Sequence, residues 1–167
     1  MSEHDKIIVN NQQLIRRCSG FRTKMFVKVY ELTMYTKKLH ENMDDIIVGN
    51  NVFLIELKFL MNIPNDKIKQ SMYDGFHDNN SKEELNTFQN DIDSFLSIFD
   101  NILLVKNDIL CINYDGINVN IRLTTQDGLK EMIINNDQFK NPLLKIWIGN
   151  KPVDKHLKNA LIKGIIC

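Results

Sequence analysis

Segments in which apolar residues alternate with polar ones, or follow one another directly, predict β-strands along much of the chain. Two Asp-Gly pairs, Asp115-Gly116 and Asp127-Gly128, are turn signals that separate three of these segments and indicate hairpins. The segment 51–60 contains too many apolar residues to face water on one side. The strands that this pattern predicts are, in chain order, 14–22, 24–36, 51–60, 109–114, 117–122 and 130–134.

Apolar residues spaced three and four positions apart predict helices between and after these strands. The clearest helix follows Ser81-Lys-Glu-Glu84, which has the form of a capping box. Pro64 is suited to open the helix before it, whereas Gly149 and Pro152 are suited to end a later one. The apolar stripe of the clearest helix comprises Leu85, Phe88, Ile92, Phe95, Leu96 and Phe99. The other predicted helices lie at 41–48, from Pro64 through Phe76, from Asp137 through Trp147, and at 153–162.

The order of these elements predicts the fold class. Strands are followed by helices, and hairpins replace a strict alternation of strand and helix, which is typical of an α+β protein with a mostly antiparallel sheet. The chain has 167 residues and a mass of 19.5 kDa, which is enough for a full hydrophobic core. We therefore expect residues 1–167 to form a single domain.

Charge and hydropathy exclude several classes of partner. The 21 Lys and Arg residues balance the 21 Asp and Glu residues, so the chain lacks the basic excess of a nucleic-acid binder and has no strong bulk attraction to acidic membranes. Its apolar runs are far shorter than the roughly 20 residues that a membrane-spanning helix needs. The N-terminal residues contain two acids and no apolar run typical of a secretory signal. We expect a cytoplasmic protein with no nucleic-acid partner and no membrane span.

The cysteines and histidines show no spacing typical of a metal site or a disulfide framework. An odd number of cysteines without a pattern is typical of a reducing compartment, and we expect buried or idle thiols. The histidines lie in polar contexts and are expected to be solvated. No phosphate-binding loop, nucleophile elbow or zinc motif is present in the sequence, so no cofactor and no metal are predicted. The residues in question are Cys18, Cys111, Cys167, His4, His40, His77 and His156.

Three segments together resemble the chalcone isomerase family. The segment from Gly20-Phe-Arg22 to Tyr35 is similar to the family's first long-strand motif. The segment 55–68, with Pro64 near its end, is similar to the central strand and the helix that follows it. The segment 141–161 is similar to the C-terminal helix, the Gly-Lys-Pro turn and the last helix. The resemblance covers roughly residues 6–164 and is strongest to the compact microbial members of the family.

The resemblance implies an open-faced sandwich, in which a large, mostly antiparallel sheet is covered by a layer of α-helices with a ligand cleft between them. Plant members use an Arg near the first long strand to hold and polarise the substrate, and Arg22 matches that Arg. Tyr30 matches a plant Thr, and the other plant hydrogen-bonding positions match approximately Lys67, Asp74 and Ile146. The resemblance thus implies that the Arg is kept and that most of the isomerase hydrogen-bond set is lost.

Fatty-acid-binding members of the family are similar in pairing an Arg with a Tyr from these same elements. A guanidinium binds a carboxylate through two parallel N–H···O bonds, and a Tyr hydroxyl adds a third donor. Arg22 and Tyr30 are eight residues apart, so their side chains share one face if the segment is a continuous strand. In the alternative interpretation, both residues have a structural role only: Arg22 is a surface arginine and Tyr30 is a tyrosine at the edge of the core.

The same parity assigns further side chains to the face of Arg22 and Tyr30. Phe26, Leu32 and Met34 could line an apolar slot for an acyl chain. Lys24 and Lys28 share the parity as well. Either part of this face is therefore wet, or a β-bulge shifts the register.

Three functions stay open at this stage. The favoured one is a non-catalytic binder of fatty acids or similar amphipathic carboxylates, with Arg22 as the anion clamp and Tyr30 as the second donor. The second is an isomerase of the intramolecular-lyase type acting on a chalcone-like or enone substrate, with Arg22 holding an oxyanion. The third is a scaffold or interaction protein. Some mitochondrial relatives resemble haem binders, which makes His77 a further candidate as an axial ligand. The sequence does not indicate the oligomeric state.

Overall fold

The computed structural model describes residues 5–166, which form a large antiparallel sheet and five α-helices. The strands are β1 (Lys6–Val9), β2 (Gln12–Lys24), β3 (Val27–Thr36), β4 (Phe53–Phe59), β5 (Ile63–Pro64), β6 (Leu103–Leu104), β7 (Ile109–Tyr114), β8 (Val119–Thr125) and β9 (Gly128–Ile134). The helices are α1 (Met43–Ile47), α2 (Asn65–Asn79), α3 (Lys82–Leu96), α4 (Lys140–Ile148) and α5 (Lys155–Ile165), with single 3₁₀ turns at Ser97–Phe99 and Asp137–Phe139.

Seven strands form the main sheet in the order β1-β2-β3-β4-β7-β8-β9, and every neighbouring pair is antiparallel. The short strands β5 and β6 pair with each other outside this sheet. Helices α2, α3 and α4 contribute their buried apolar residues to the same core as the inner face of the sheet. This arrangement confirms the predicted α+β class and the sandwich with one helical layer.

The predicted strand at 24–36 is wrong at its beginning. Lys24 still belongs to β2 and pairs with Val27 of β3, so Met25 and Phe26 form a two-residue hairpin turn between the strands. Both turn residues have positive φ angles, 50° and 68°. Strand-forming residues continue through the turn without the Asn or Gly that usually marks it, which is why the pattern did not show it.

The turn between β7 and β8 is longer than the Asp-Gly signal indicates. The Asp115 carboxylate accepts hydrogen bonds from the backbone N–H groups of Ile117 and Asn118, both at 2.8 Å. These bonds extend the turn, so β8 begins at Val119 instead of at 117. The second Asp-Gly hairpin is present, although β9 already begins at Gly128.

The helices are close to the predicted ones. The capping box is confirmed, because Ser81 Oγ accepts from the Glu84 backbone and Glu84 Oε1 accepts from the Ser81 backbone. The helix predicted from Asp137 begins with a 3₁₀ turn that Asn136 caps, and α4 follows from Lys140. The last helix begins two residues later than predicted, because Asp154 caps it.

Helix α5 packs directly on β2 at two glycines. A Cβ atom added to Gly20 of β2 would lie 2.9 Å from Leu157 Cδ1 of the helix. A Cβ atom added to Gly164 of the helix would lie 2.5 Å from the Arg17 carbonyl oxygen. The absence of side chains at both positions lets the helix approach the strand closely and brings the beginning of α5 next to the β2–β3 hairpin.

Candidate ligand-binding site

A cleft of about 340 Å³ opens between the β2–β3 hairpin, the segment after β4 and the first turns of α2. Its volume is at the lower end of the range of small-molecule sites, roughly 300–1,000 Å³. Apolar side chains form most of its walls, and Arg22 and Tyr30 are among the polar ones. The lining residues are Arg22, Lys24, Met25, Val27, Val29, Tyr30, Met61, Asn62, Ile63, Pro64, Lys67, Ile68 and Ser71.

Two of the wider depressions are lined by other chemistry. One of about 530 Å³ contains Asp115 and Glu131, whose carboxylates disfavour an anionic ligand. The other, of about 500 Å³, is lined mainly by polar side chains, among them Lys37 and His40. The first depression also contains an arginine, Arg122, but this side chain is paired with Glu131 at 2.8 Å. The smaller cleft at the hairpin stands out because its lining combines apolar walls and Arg22 with no Asp or Glu.

Arg22 and Tyr30 face each other as direct partners on neighbouring strands, Arg22 on β2 and Tyr30 on β3. The structure thus brings the two predicted residues together, but by a different geometry from the one expected. They do not lie on one continuous strand, because the turn at Met25 and Phe26 folds the segment back on itself.

A β-bulge at Val29 explains the two lysines that share the parity of Tyr30. Arg22 pairs with Tyr30, but the next residue, Thr23, pairs with Lys28, so Val29 has no partner on β2. The Lys28 ammonium lies 4.0 Å from the centre of the Phe21 ring, away from the buried Tyr30. Lys24 is exposed at the mouth of the cleft.

The predicted apolar lining of the slot is wrong in its residues. Phe26 occupies the tip of the hairpin and is fully exposed. Leu32 and Met34 are buried with Tyr30 in the core and do not line the cleft. The apolar walls come instead mainly from residues outside this segment, to which strand parity does not apply, above all Met61 after β4 and Ile68 of α2.

The Arg22 side chain is partly enclosed, with 18% of its surface exposed. Its Nη1 donates to the Thr23 carbonyl oxygen at 2.9 Å and lies 3.9 Å from Asp154 Oδ2. A guanidinium has five N–H donors in a planar fork. One is used on Thr23, so the remaining donors can bind a ligand carboxylate.

Asp154 was not predicted as a site residue, although its position before the last helix is that of an N-cap. Its Oδ1 accepts from the His156 and Leu157 backbone at 2.9 and 3.1 Å, and its Oδ2 accepts from the Thr23 backbone at 2.9 Å. Burial acts to raise the pKa of Asp154, but these three donors and the nearby Arg22 outweigh it and hold the pKa below its ordinary value.

Tyr30 joins the sheet to the helical layer. Trp147 Nε1 of α4 donates to Tyr30 Oη at 2.9 Å, and both side chains are buried. Burial raises the pKa of Tyr30 to about 12, despite the opposing effects of this hydrogen bond and of Arg22. The hydroxyl stays protonated near neutral pH, and its proton can be donated to a ligand oxygen. Trp147 is a core residue.

The three positions that match the other plant hydrogen-bonding residues do not converge. Lys67 lines the cleft. Asp74 is exposed on α2, where it accepts a hydrogen bond from Gln70 Nε2 at 2.8 Å. Ile146 is buried in α4 against Gly75 of α2.

One histidine differs from the expectation of solvated side chains. His40 is buried: its backbone N–H donates to the Ile165 carbonyl oxygen of α5 at 2.8 Å, and its Nδ1 is hydrogen-bonded to Asp45 Oδ2 at 3.0 Å. His77 and His156 are exposed, and the ring of His77 lies 4.4 Å from that of Tyr73. His4 lies outside the described residues.

The described cysteines lie in surroundings that suppress their reactivity. Burial raises the pKa of both Cys18 and Cys111 to about 11, so their thiols stay protonated near neutral pH. Cys167 lies outside the described residues. Within residues 5–166, no three His, Cys, Asp or Glu side chains are grouped so that they could hold a metal ion. Over the same residues, no helix has the length and apolar character to cross a membrane.

The fold and the cleft define an open-faced sandwich with a ligand-sized cleft between its sheet and its helices. A sequence model described as chalcone isomerase-like matches residues 1–163, and the chain belongs to this family. No curated protein matches the sequence. Among solved structures, the chain is similar to the crystal structure of a fatty-acid binding protein from Arabidopsis thaliana, with a TM-score of 0.67 and 13% identity over 89% of this chain and 86% of that chain. At this identity, the likeness shows the fold.

Proposed function

We propose that the cleft binds fatty acids or similar amphipathic carboxylates and performs no catalysis on them. The observation that carries this proposal is the pairing of Arg22 with Tyr30 beside an apolar cleft. Both groups donate hydrogen bonds, and the arginine is cationic, so the pair suits an anionic oxygen. The apolar walls suit an acyl chain attached to that anion.

The surroundings of Arg22 support its role as an anion clamp. Asp154 provides a nearby negative charge, but backbone donors already occupy both of its oxygens. At 3.9 Å, its approach to Arg22 Nη1 is longer than a hydrogen bond. The guanidinium is therefore held in place with most of its donors free for a ligand.

The structural likeness to a fatty-acid binding protein is consistent with this proposal. The three positions that match the other isomerase hydrogen-bonding residues support it as well, since only Lys67 of the three lies at the cleft. A binding protein needs the anion clamp and the apolar walls, whereas a cyclising isomerase needs further groups to orient its substrate.

The proposal is tested by calorimetric titration of the purified protein with saturated fatty acids of increasing chain length. We expect binding by the unaltered protein and at least about tenfold weaker binding by Arg22→Gln, because hydrogen bonds to charged groups are lost. The fatty-acid methyl esters, which lack the anion, should bind weakly to both. Arg122→Gln removes an exposed arginine paired with Glu131 and serves as the matched control, with unchanged affinity.

Native mass spectrometry of the protein as purified gives an independent result. A co-purifying carboxylate of a few hundred daltons that is absent from Arg22→Gln would identify the natural ligand. Absence of fatty-acid binding in both experiments would contradict the proposal.

The isomerase function is the second candidate, because the same pair of donors could hold the oxyanion that forms when an enone is attacked. Its test is a change of absorbance with a panel of chalcones and simple enones. Turnover that is lost in Arg22→Gln would establish catalysis and overturn a purely binding role.

Partner binding that is lost in the same variant would count against a scaffold role that leaves the cleft unused.

A further inference from the structure

The tip of the β2–β3 hairpin presents large apolar side chains to water. We define the hairpin tip as residues 24–28. Met25 is 85% exposed, Phe26 is fully exposed and Val27 is half exposed. Apolar side chains at such a position lose the benefit of burial, so a cluster of them on one loop indicates a surface that is covered in use.

The backbone of the tip shows that these residues do not serve the turn itself. Met25 and Phe26 have φ angles of 50° and 68°, in the left-handed region that bulky side chains avoid. Asn and Gly are the residues that such two-residue turns favour. The neighbouring β1–β2 hairpin of this chain follows that preference, with Asn10 and Asn11 at φ angles of 48° and 59°. The turn therefore carries Met25 and Phe26 although both residues have a strained backbone conformation there.

The charged side chains of the hairpin tip itself are all positive. Lys24 and Lys28 flank the apolar residues, and no Asp or Glu occurs in residues 20–30. Lys67 lies on the opposite wall of the cleft, and Asp154 is enclosed behind the hairpin beside Arg22. Apolar side chains ringed by lysines are complementary to a lipid bilayer with anionic headgroups.

We propose that the hairpin tip docks on the surface of a bilayer that contains anionic lipids. Met25 and Phe26 enter the region below the headgroups, while Lys24 and Lys28 stay at the level of the lipid phosphates. The contact is peripheral, because it involves one hairpin and because the chain as a whole is neutral. Met25 and Val27 also line the cleft, so docking brings the mouth of the cleft to the membrane.

This inference rests on the hairpin tip and does not depend on what the cleft binds. It gives the cleft direct access to a membrane, which is where amphipathic carboxylates accumulate. A protein that collects such molecules from a bilayer, or delivers them to one, needs an opening at that surface.

The test is co-sedimentation with phosphatidylcholine vesicles prepared with and without phosphatidylglycerol. We expect the protein to bind the vesicles that contain phosphatidylglycerol, and to bind them less at high salt. The double variant Met25→Asn, Phe26→Gly should bind at least about tenfold more weakly, because the two apolar side chains are removed. The same variant should unfold at a higher urea concentration, since Asn-Gly is the favoured sequence for this turn.

Matched variants separate the hairpin tip from a general surface effect. Ile117→Asn removes an exposed apolar residue from the β7–β8 turn and should leave vesicle binding unchanged. Lys24→Gln with Lys28→Gln should weaken binding to the anionic vesicles. Lys37→Gln with Lys38→Gln, at the other end of β3, should not.

Three results would overturn the proposal. The first is that the unaltered protein fails to bind either kind of vesicle. The second is that the Met25→Asn, Phe26→Gly variant binds as well as the unaltered protein. The third is a concentration-dependent dimer, seen by analytical ultracentrifugation, that this variant abolishes while vesicles bind neither protein. Arg22→Gln should keep its vesicle binding, so failure of fatty-acid binding and failure of membrane docking are distinguishable.

Discussion

Tyr30 shows how one side chain connects the sheet, the helical layer and the cleft. It lies opposite Arg22 on the sheet, accepts a hydrogen bond from Trp147 of α4, and packs edge-on against Phe59 of β4 with ring centres 5.9 Å apart. Its hydroxyl and the Trp147 N–H form a hydrogen bond among the apolar residues of the core. Because it serves both the core and the cleft, its removal should affect stability and binding together.

We expect Tyr30→Phe to lower the free energy of unfolding by about 1–3 kcal/mol, because the Trp147 N–H loses its acceptor inside the core. Urea unfolding followed by circular dichroism measures this loss. Tyr73→Phe, which removes an exposed hydroxyl on α2, is the control and should leave stability unchanged. Equal stability of the unaltered protein and Tyr30→Phe would mean that Trp147 finds another acceptor.

At the scale of elements, Asp154 ties the beginning of α5 to the β2–β3 hairpin. Its oxygens accept from two N–H groups of the helix and from Thr23 of the strand. The helix N-terminus and the wall of the cleft are therefore held by one carboxylate. A change in its charge should be felt in the packing of α5 on the sheet.

The pKa of Asp154 is lower in the folded protein than in the unfolded chain, so its ionised form stabilises the fold. This contribution is present above the unfolded pKa of about 3.9 and is lost as the pH falls through the folded pKa. Asp154→Asn keeps an oxygen acceptor but carries no charge. We expect its stability to fall less steeply between about pH 5 and about pH 2 than that of the unaltered protein.

Urea unfolding at a series of pH values measures the slopes. Asp127→Asn is the control, because Asp127 is exposed in the β8–β9 turn, and it should keep the slope of the unaltered protein. Identical slopes for all three proteins would remove Asp154 from the acid-sensitive groups of the fold.

Gly164 sets how closely α5 approaches β2. Alanine usually stabilises a helix by about 1 kcal/mol relative to glycine. Here the added Cβ would lie 2.5 Å from the Arg17 carbonyl oxygen, a backbone atom that cannot easily move. We therefore expect Gly164→Ala to destabilise the protein by about 1–3 kcal/mol.

Thermal unfolding monitored by circular dichroism tests this expectation. Asn159→Ala, at an exposed position of the same helix, is the control and should leave stability equal or slightly higher. If Gly164→Ala were as stable as that control, the helix and the strand could separate without loss.

The elements show what the sequence could and could not predict. The capping box at Ser81 and the apolar stripe behind it could be predicted, because local hydrogen bonds and the spacing of apolar residues along the helix determine them. The β2–β3 turn could not be predicted, because Met25 and Phe26 are strand formers and only the pairing of β2 with β3 places them in a turn. The meeting of Arg22 and Tyr30 could be predicted by resemblance. Asp154 could have been found as an N-cap, but its contact with Thr23 depends on how α5 packs.

At the scale of the whole molecule, ligand binding should raise the melting temperature. Under the proposed function, a fatty acid binds only the folded state, so it stabilises that state by about 2.7 kcal/mol at a hundred times its Kd. For a chain of this length the melting temperature should rise by about 5–10 °C. Differential scanning calorimetry at that ligand concentration measures the shift. Arg22→Gln should show a clearly smaller shift at the same concentration, and equal shifts would mean that the ligand does not use the arginine.

The order of the strands has a consequence for the path by which the chain folds. Neighbours in the main sheet are also neighbours along the chain, except at the pairing of β4 with β7, which spans residues 60–108. The four strands before this junction and the three after it can each pair locally, with short loops to close. Joining them requires closure of a long loop, which contains α2 and α3, at a larger entropic cost.

We expect the two groups of strands to form early and the junction between β4 and β7 to form late. Pulse-labelled hydrogen exchange during refolding should show protection of the amides between β2 and β3 before that of the amides between β4 and β7. Simultaneous protection would mean that the helical segment forms first and brings the strands together. The late junction is also the step at which the core closes. Because β1 to β4 precede the helices α2 to α5 in the chain, they leave the ribosome and can pair with each other before the helices that will cover them have been synthesised.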